Sequence, residues 1–130
     1  MSTVVRASLS RRNRYWISKH KYYELKHFCL QYPEWKTAYS KIASNPLMMK
    51  KIEEDPTAAT AILLADLDGR MKLIEECTKQ ADLSIGGYIF RGVTENLSFT
   101  YLKTVLGIPC ERDMYYDRYR KFFYLLAKER

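Results

Sequence analysis

Arg112, Tyr116 and Arg120 recur every four residues along the last amphipathic stretch of the chain, with Arg118 and Lys121 beside them. Side chains at that spacing share one face of a helix. Arginine can fork onto guanine O6 and N7 in the major groove, while tyrosine hydroxyls and further cations hold phosphates, and the free N–H groups at a helix start favour a phosphate as well. The chemistry on offer is recognition of double-stranded DNA, with base reading by Arg112, Tyr116 and Arg120 and phosphate contacts by Arg118 and Lys121. Arg11, Arg12 and Arg14 add phosphate contacts from the other end. There Tyr15 and Trp16, then Tyr22, Tyr23 and Phe28, alternate with Lys19, Lys21 and Lys26, an interleaving suited to backbones and bases. The alternative is a solvated face with apolar stems laid along it, and for Trp16, Phe28 and Trp35 plain core packing.

Catalytic chemistry finds few residues. His20 and His27 are seven apart with Cys29 nearby, short of the four ligands zinc usually takes. A Cys–His nucleophile pair would need Cys29 or Cys110 to meet a histidine in the fold, and no Gly-rich phosphate loop is present. Glu53-Glu54 and Glu75-Glu76 are sequence neighbours, so on helices their carboxylates diverge. The expectation is a protein that is not an enzyme and that carries no metal or cofactor. Cys29, Cys77 and Cys110 are widely spaced with no Cys-x-x-Cys pair, which predicts buried thiols in a reducing compartment rather than disulfides.

Charge separates along the chain. Residues 1–44 carry nine Lys or Arg against two acids, residues 45–85 five against eight, and residues 86–130 eight against five, for a net charge of +7. Two basic ends flanking an acidic scaffold fit a polyanionic partner. At 130 residues, 47% hydrophobic and 28% charged, the chain can fill one core and keep a polar surface. Its longest apolar run, residues 58–67, is interrupted by Thr60 and Asp66 and falls short of the about 18 residues a membrane span needs. No apolar leader region is visible in residues 1–10, so cytoplasmic residence is the expectation.

The elements that must position these side chains read as helices throughout, an all-α fold. Residues 1–12 are expected as a flexible basic arm. An N-terminal helical region follows over 13–80, with helices at 13–31, 34–43, 46–54 and 56–80. Asn45-Pro46 and Asp55-Pro56 supply a capping acceptor before a proline for the last two. Leu63, Leu67, Met71 and Ile74 form the inward stripe of the longest helix, where Gly69 allows a kink. Residues 81–130 have the order of a helix-turn-helix region. Helix 84–95 ends at Asn96, Ser98 caps helix 99–106 with Leu102, Val105 and Leu106 inward, and Gly107 makes the turn. Ile108 plugs the core, and Pro109 opens a helix over 110–128 packed by Tyr115, Tyr119, Phe122 and Leu126.

The run Thr94-Glu95-Asn96-Leu97-Ser98-Phe99, through Gly107-Ile108-Pro109 and Tyr115-Tyr116-Asp117-Arg118-Tyr119-Arg120-Lys121-Phe122-Phe123, resembles a known C-terminal motif. It is similar to the helix-turn-helix of RinA and ArpU type late-gene regulators, encoded by phages and prophages of Gram-positive bacteria, whose tail is similar to the promoter-reading region of a sigma factor. His20-Lys21-Tyr22-Tyr23-Glu24-Leu25-Lys26-His27-Phe28, continuing to Pro33-Glu34-Trp35, is similar to other small phage proteins. The resemblance implies transcriptional control of phage genes in the host bacterial cytoplasm. Double-stranded DNA and host RNA polymerase would be the partners, and a monomer or homodimer the working form. Two other readings fit the same residues: a packaging protein of the small-terminase kind that marks DNA as a ring, and a phage protein that binds and inhibits a host protein.

Overall fold

The computed structural model describes residues 11–130, and the first ten residues of the expected arm lie outside them. Seven helices and no strand occur among the described residues, so the fold is all-α. They are α1 (Lys19–Leu30), α2 (Tyr32–Ala43), α3 (Pro46–Glu54), α4 (Ala59–Ala81), α5 (Gly86–Glu95), α6 (Phe99–Thr104) and α7 (Arg112–Glu129).

Local capping explains most boundaries. The Asn45 side chain accepts from Leu47 N and Met48 N, and that of Ser98 from Tyr101 N, so α3 and α6 start where expected. Asn96 at φ 57° and Gly107 at φ 69° both take the left-handed conformation that ends a helix or tightens a turn.

Five starts differ from expectation: α2 begins at Tyr32 rather than 34 and α5 at Gly86 rather than 84, and three others have a local cause. The chain does not enter α1 at residue 13, because Asn13 closes a turn on Tyr15 N through its side chain and on Trp16 N through its carbonyl; Ser18 is the cap. Asp55 does not cap α4, because its Oδ1 takes both Thr57 N and Thr57 Oγ1 in a local turn, and the helix begins at Ala59. Pro109 does not open α7, which begins at Arg112 after a connection over residues 105–111. The long helix α4 runs unbroken through Gly69. A single residue, Gln31, separates α1 from α2, with Pro33 inside the first turn of α2 where no N–H is needed.

One core joins the two sequence regions. Tyr22, Leu25 and Phe28 of α1, Met71 and Ile74 of α4, Ile89 of α5 and Leu102 of α6 surround the α7 stripe of Tyr115, Tyr119, Phe122, Phe123 and Leu126. Burying one such large apolar side chain contributes about 1.5–3 kcal/mol. Ile108 plugs this core as expected, whereas Leu63 and Val105, expected to face inward, are 47% and 60% exposed. Tyr22 and Tyr119 satisfy one another inside the core, their hydroxyls 2.8 Å apart. All three cysteines are buried and free.

Candidate nucleic-acid interface

The N-terminal turn folds back against the last turns of α7. Tyr15 packs on Tyr124 with ring centroids 5.7 Å apart, the Arg14 guanidinium lies 4.7 Å from the Tyr15 ring, and Lys128 Nζ lies 4.6 Å from the Tyr124 ring. The two rings, tilted 56° to one another, thus each carry a cation at a distance where the ring face attracts positive charge. Lys121 and Arg120 precede Tyr124 by three and four residues, which puts them on the same stripe of α7. Arg11 rests 5.5 Å from the Trp16 ring beside this cluster. Arg12 is exposed in the same turn.

At the other end of α7, about 24 Å away at 1.5 Å per residue, Arg112 is exposed on the first turn and lies 5.3 Å from the Tyr116 ring. Tyr116 is half-buried, its ring against Phe99, Tyr115 and Tyr119. Arg120 is half-buried too, and no side chain from 115 to 127 is fully exposed. Helix α7 is sunk into the fold along most of its length, because α4, α1 and α5 pack around it. Of the three residues expected to read bases, only Arg112 projects.

Arg118 has a different task from the phosphate contact expected of it. Its Nε donates to Asp82 Oδ2 at 3.0 Å and its Nη1 to Asp117 Oδ2. Two carboxylates already balance its charge, so the role is structural. Asp82 in turn accepts from Ser84 N and Ile85 N at the entry to α5. Burial opposes ionisation of Asp82, but those two N–H groups and Arg118 outweigh it and hold its carboxyl below the usual range.

Cations elsewhere divide in the same manner. Arg70, Lys72 and Lys79 of α4 and Arg91 of α5 each sit on a carboxylate one turn away. Arg14, Arg112, Arg120, Lys121 and Lys128 form no ion pair among the described residues. Sequence reasoning missed Tyr124 and Lys128, although Lys121, Tyr124 and Lys128 at i, i+3 and i+7 carry a helix-face signal. It could not have placed Arg14 beside them.

For other chemistry, His20 and His27 are both exposed on α1 while Cys29 is buried, and no group of three or more metal-ligating side chains occurs among the described residues. Among those residues no helix is long and apolar enough to cross a membrane. No protein-family model, curated protein or solved structure matches this chain.

Proposed function

We propose that this protein binds double-stranded DNA through the basic face formed by its N-terminal turn and α7, and acts on phage genes as a transcriptional regulator. The observation that supports this best is the run Arg14, Tyr15, Tyr124 and Lys128, with Lys121 and Arg120 one turn along the helix. Cations kept over rings, off carboxylates, are available to phosphates. Arg112, exposed at the start of α7, is the residue placed to reach a base edge, with Tyr116 supporting its guanidinium. The resemblance to late-gene regulators favours transcription over packaging.

The test is anisotropy of a labelled random-sequence duplex titrated with the full chain across a salt series. Affinity should fall steeply with salt, and Arg14→Ala, Lys121→Ala and Lys128→Ala should each lower the slope by about one. Lys72→Ala and Arg91→Ala, which remove cations already paired, should leave it unchanged. On a duplex selected for tight binding, Arg112→Ala should cost about 1–3 kcal/mol while random-sequence affinity stays the same. No binding at low salt would overturn the reading and leave a host protein as the partner.

A further inference from the structure

Helix α3 differs from every other helix described in having no buried residue. Its sequence carries Leu47, Met48, Met49 and Ile52, yet Leu47 is 74% exposed. The first turns of α4, which α3 packs against, expose Ile62 at 61% and Leu63 at 47%. A nine-residue helix is marginal on its own backbone hydrogen bonds and ordinarily depends on burying an apolar face. Here the α3–α4 hairpin leaves four large apolar side chains, Leu47, Met48, Ile62 and Leu63, in the open.

The charges around them have an order of their own. Lys50 and Lys51 are followed by Glu53, Glu54 and Asp55, all exposed. None of the five belongs to an ion pair among the described residues, although all four cations of α4 and α5 do. A basic block preceding an acidic block on one helix is complementary to itself when a second such helix runs antiparallel. Each Lys pair then faces the acidic block of the other copy, and Leu47 and the α4 apolar residues flank the contact from both sides. That is the requirement of an isologous two-fold interface.

We propose that the α3–α4 hairpin is a homodimer surface, α3 packing antiparallel against α3 of a second copy across a two-fold axis. Opposite charges set the register and the apolar side chains supply the burial. The proposal is independent of DNA binding, and its test uses none.

Light scattering on the eluting full chain should give twice the 15.4 kDa of one copy. The double variants Lys50→Glu with Lys51→Glu, and Glu53→Lys with Glu54→Lys, each bring like charges together and should weaken self-association about a hundredfold or more. Mixed in equal amounts the two variants should recover the dimer mass, since an acidic α3 then meets a basic one. Leu47→Asp should also give a single-copy mass, with helical circular dichroism unchanged because the side chain is exposed. A wild-type chain that stays at 15.4 kDa at the highest attainable concentration overturns the proposal. So does a mass of many copies, or a dimer that survives both charge reversals.

Discussion

Arg118 Nε donates to Asp82 Oδ2 at 3.0 Å, tying α7 to the turn that launches α5 across 36 residues of sequence. Asp82→Ala removes this bond together with the oxygen that accepts from Ser84 N and Ile85 N, so it should cost about 1–2 kcal/mol at neutral pH. The folded carboxyl is held below its usual value of 3.8, so this contribution is present above about pH 4 and is lost as pH falls further. Urea midpoints of wild type and Asp82→Asn should therefore differ at neutral pH and converge in acid. Arg118→Ala should lower stability without altering the salt dependence of DNA binding; a lowered slope would restore Arg118 to the interface.

Gly92 stands where a methyl group would meet Tyr115 Oη at 2.5 Å. Gly92→Ala should destabilise by more than about 2 kcal/mol, since the buried Tyr115 ring has nowhere to move. The Tyr115 hydroxyl has no hydrogen-bond partner among the described residues, so Tyr115→Phe should be neutral or stabilising. Combined with Gly92→Ala, it should recover part of the loss. Additive effects in that double-mutant cycle would contradict the contact.

The Tyr22–Tyr119 hydroxyl pair predicts alkaline sensitivity. Burial pushes Tyr22 up to about 12 and Tyr119 well above the ordinary tyrosine value of 10. The unfolded chain loses these protons first, so stability is full below pH 10 and declines as pH rises toward 12. Denaturant midpoints across that interval should fall for wild type and fall less for Tyr22→Phe. At neutral pH Tyr22→Phe should itself cost about 1–3 kcal/mol, because the Tyr119 hydroxyl is left unpaired.

The thiols should be inert in the native protein. Burial raises Cys29 far above its usual value, Cys77 to about 11, and Cys110 in the same direction, and all three side chains lie inside the core. A thiol reagent should find no reactive cysteine in native buffer and three after unfolding. Prompt labelling of Cys29 in native buffer would mean that α1 opens away from α4 and α7.

The sequence by itself determined what depends on near neighbours. Asn45, Asn96, Ser98 and Gly107 act through their own backbone or the next few N–H groups, and the helix limits they set are legible from residue type. The stripe Tyr115, Tyr119, Phe122 and Leu126 was equally legible, because one helix period fixes it. Asn13 and Asp55 show the limit of such reading: each has the residue type of a helix cap, and each spends its side chain on a local turn instead.

Only the tertiary structure decided which surfaces remain. Tyr22 became core because α1 lies against α7, while Leu63 and Val105 stayed outside because no element covers them. In the candidate interface, Arg118 was claimed by Asp82 from a distant turn, and Arg14 was brought to Tyr124 and Lys128 more than a hundred residues away. Helix periodicity fixes the angle of a side chain about its own axis. Whether that direction meets another helix, a carboxylate or water depends on contacts between distant segments, and those exist only once the chain has folded.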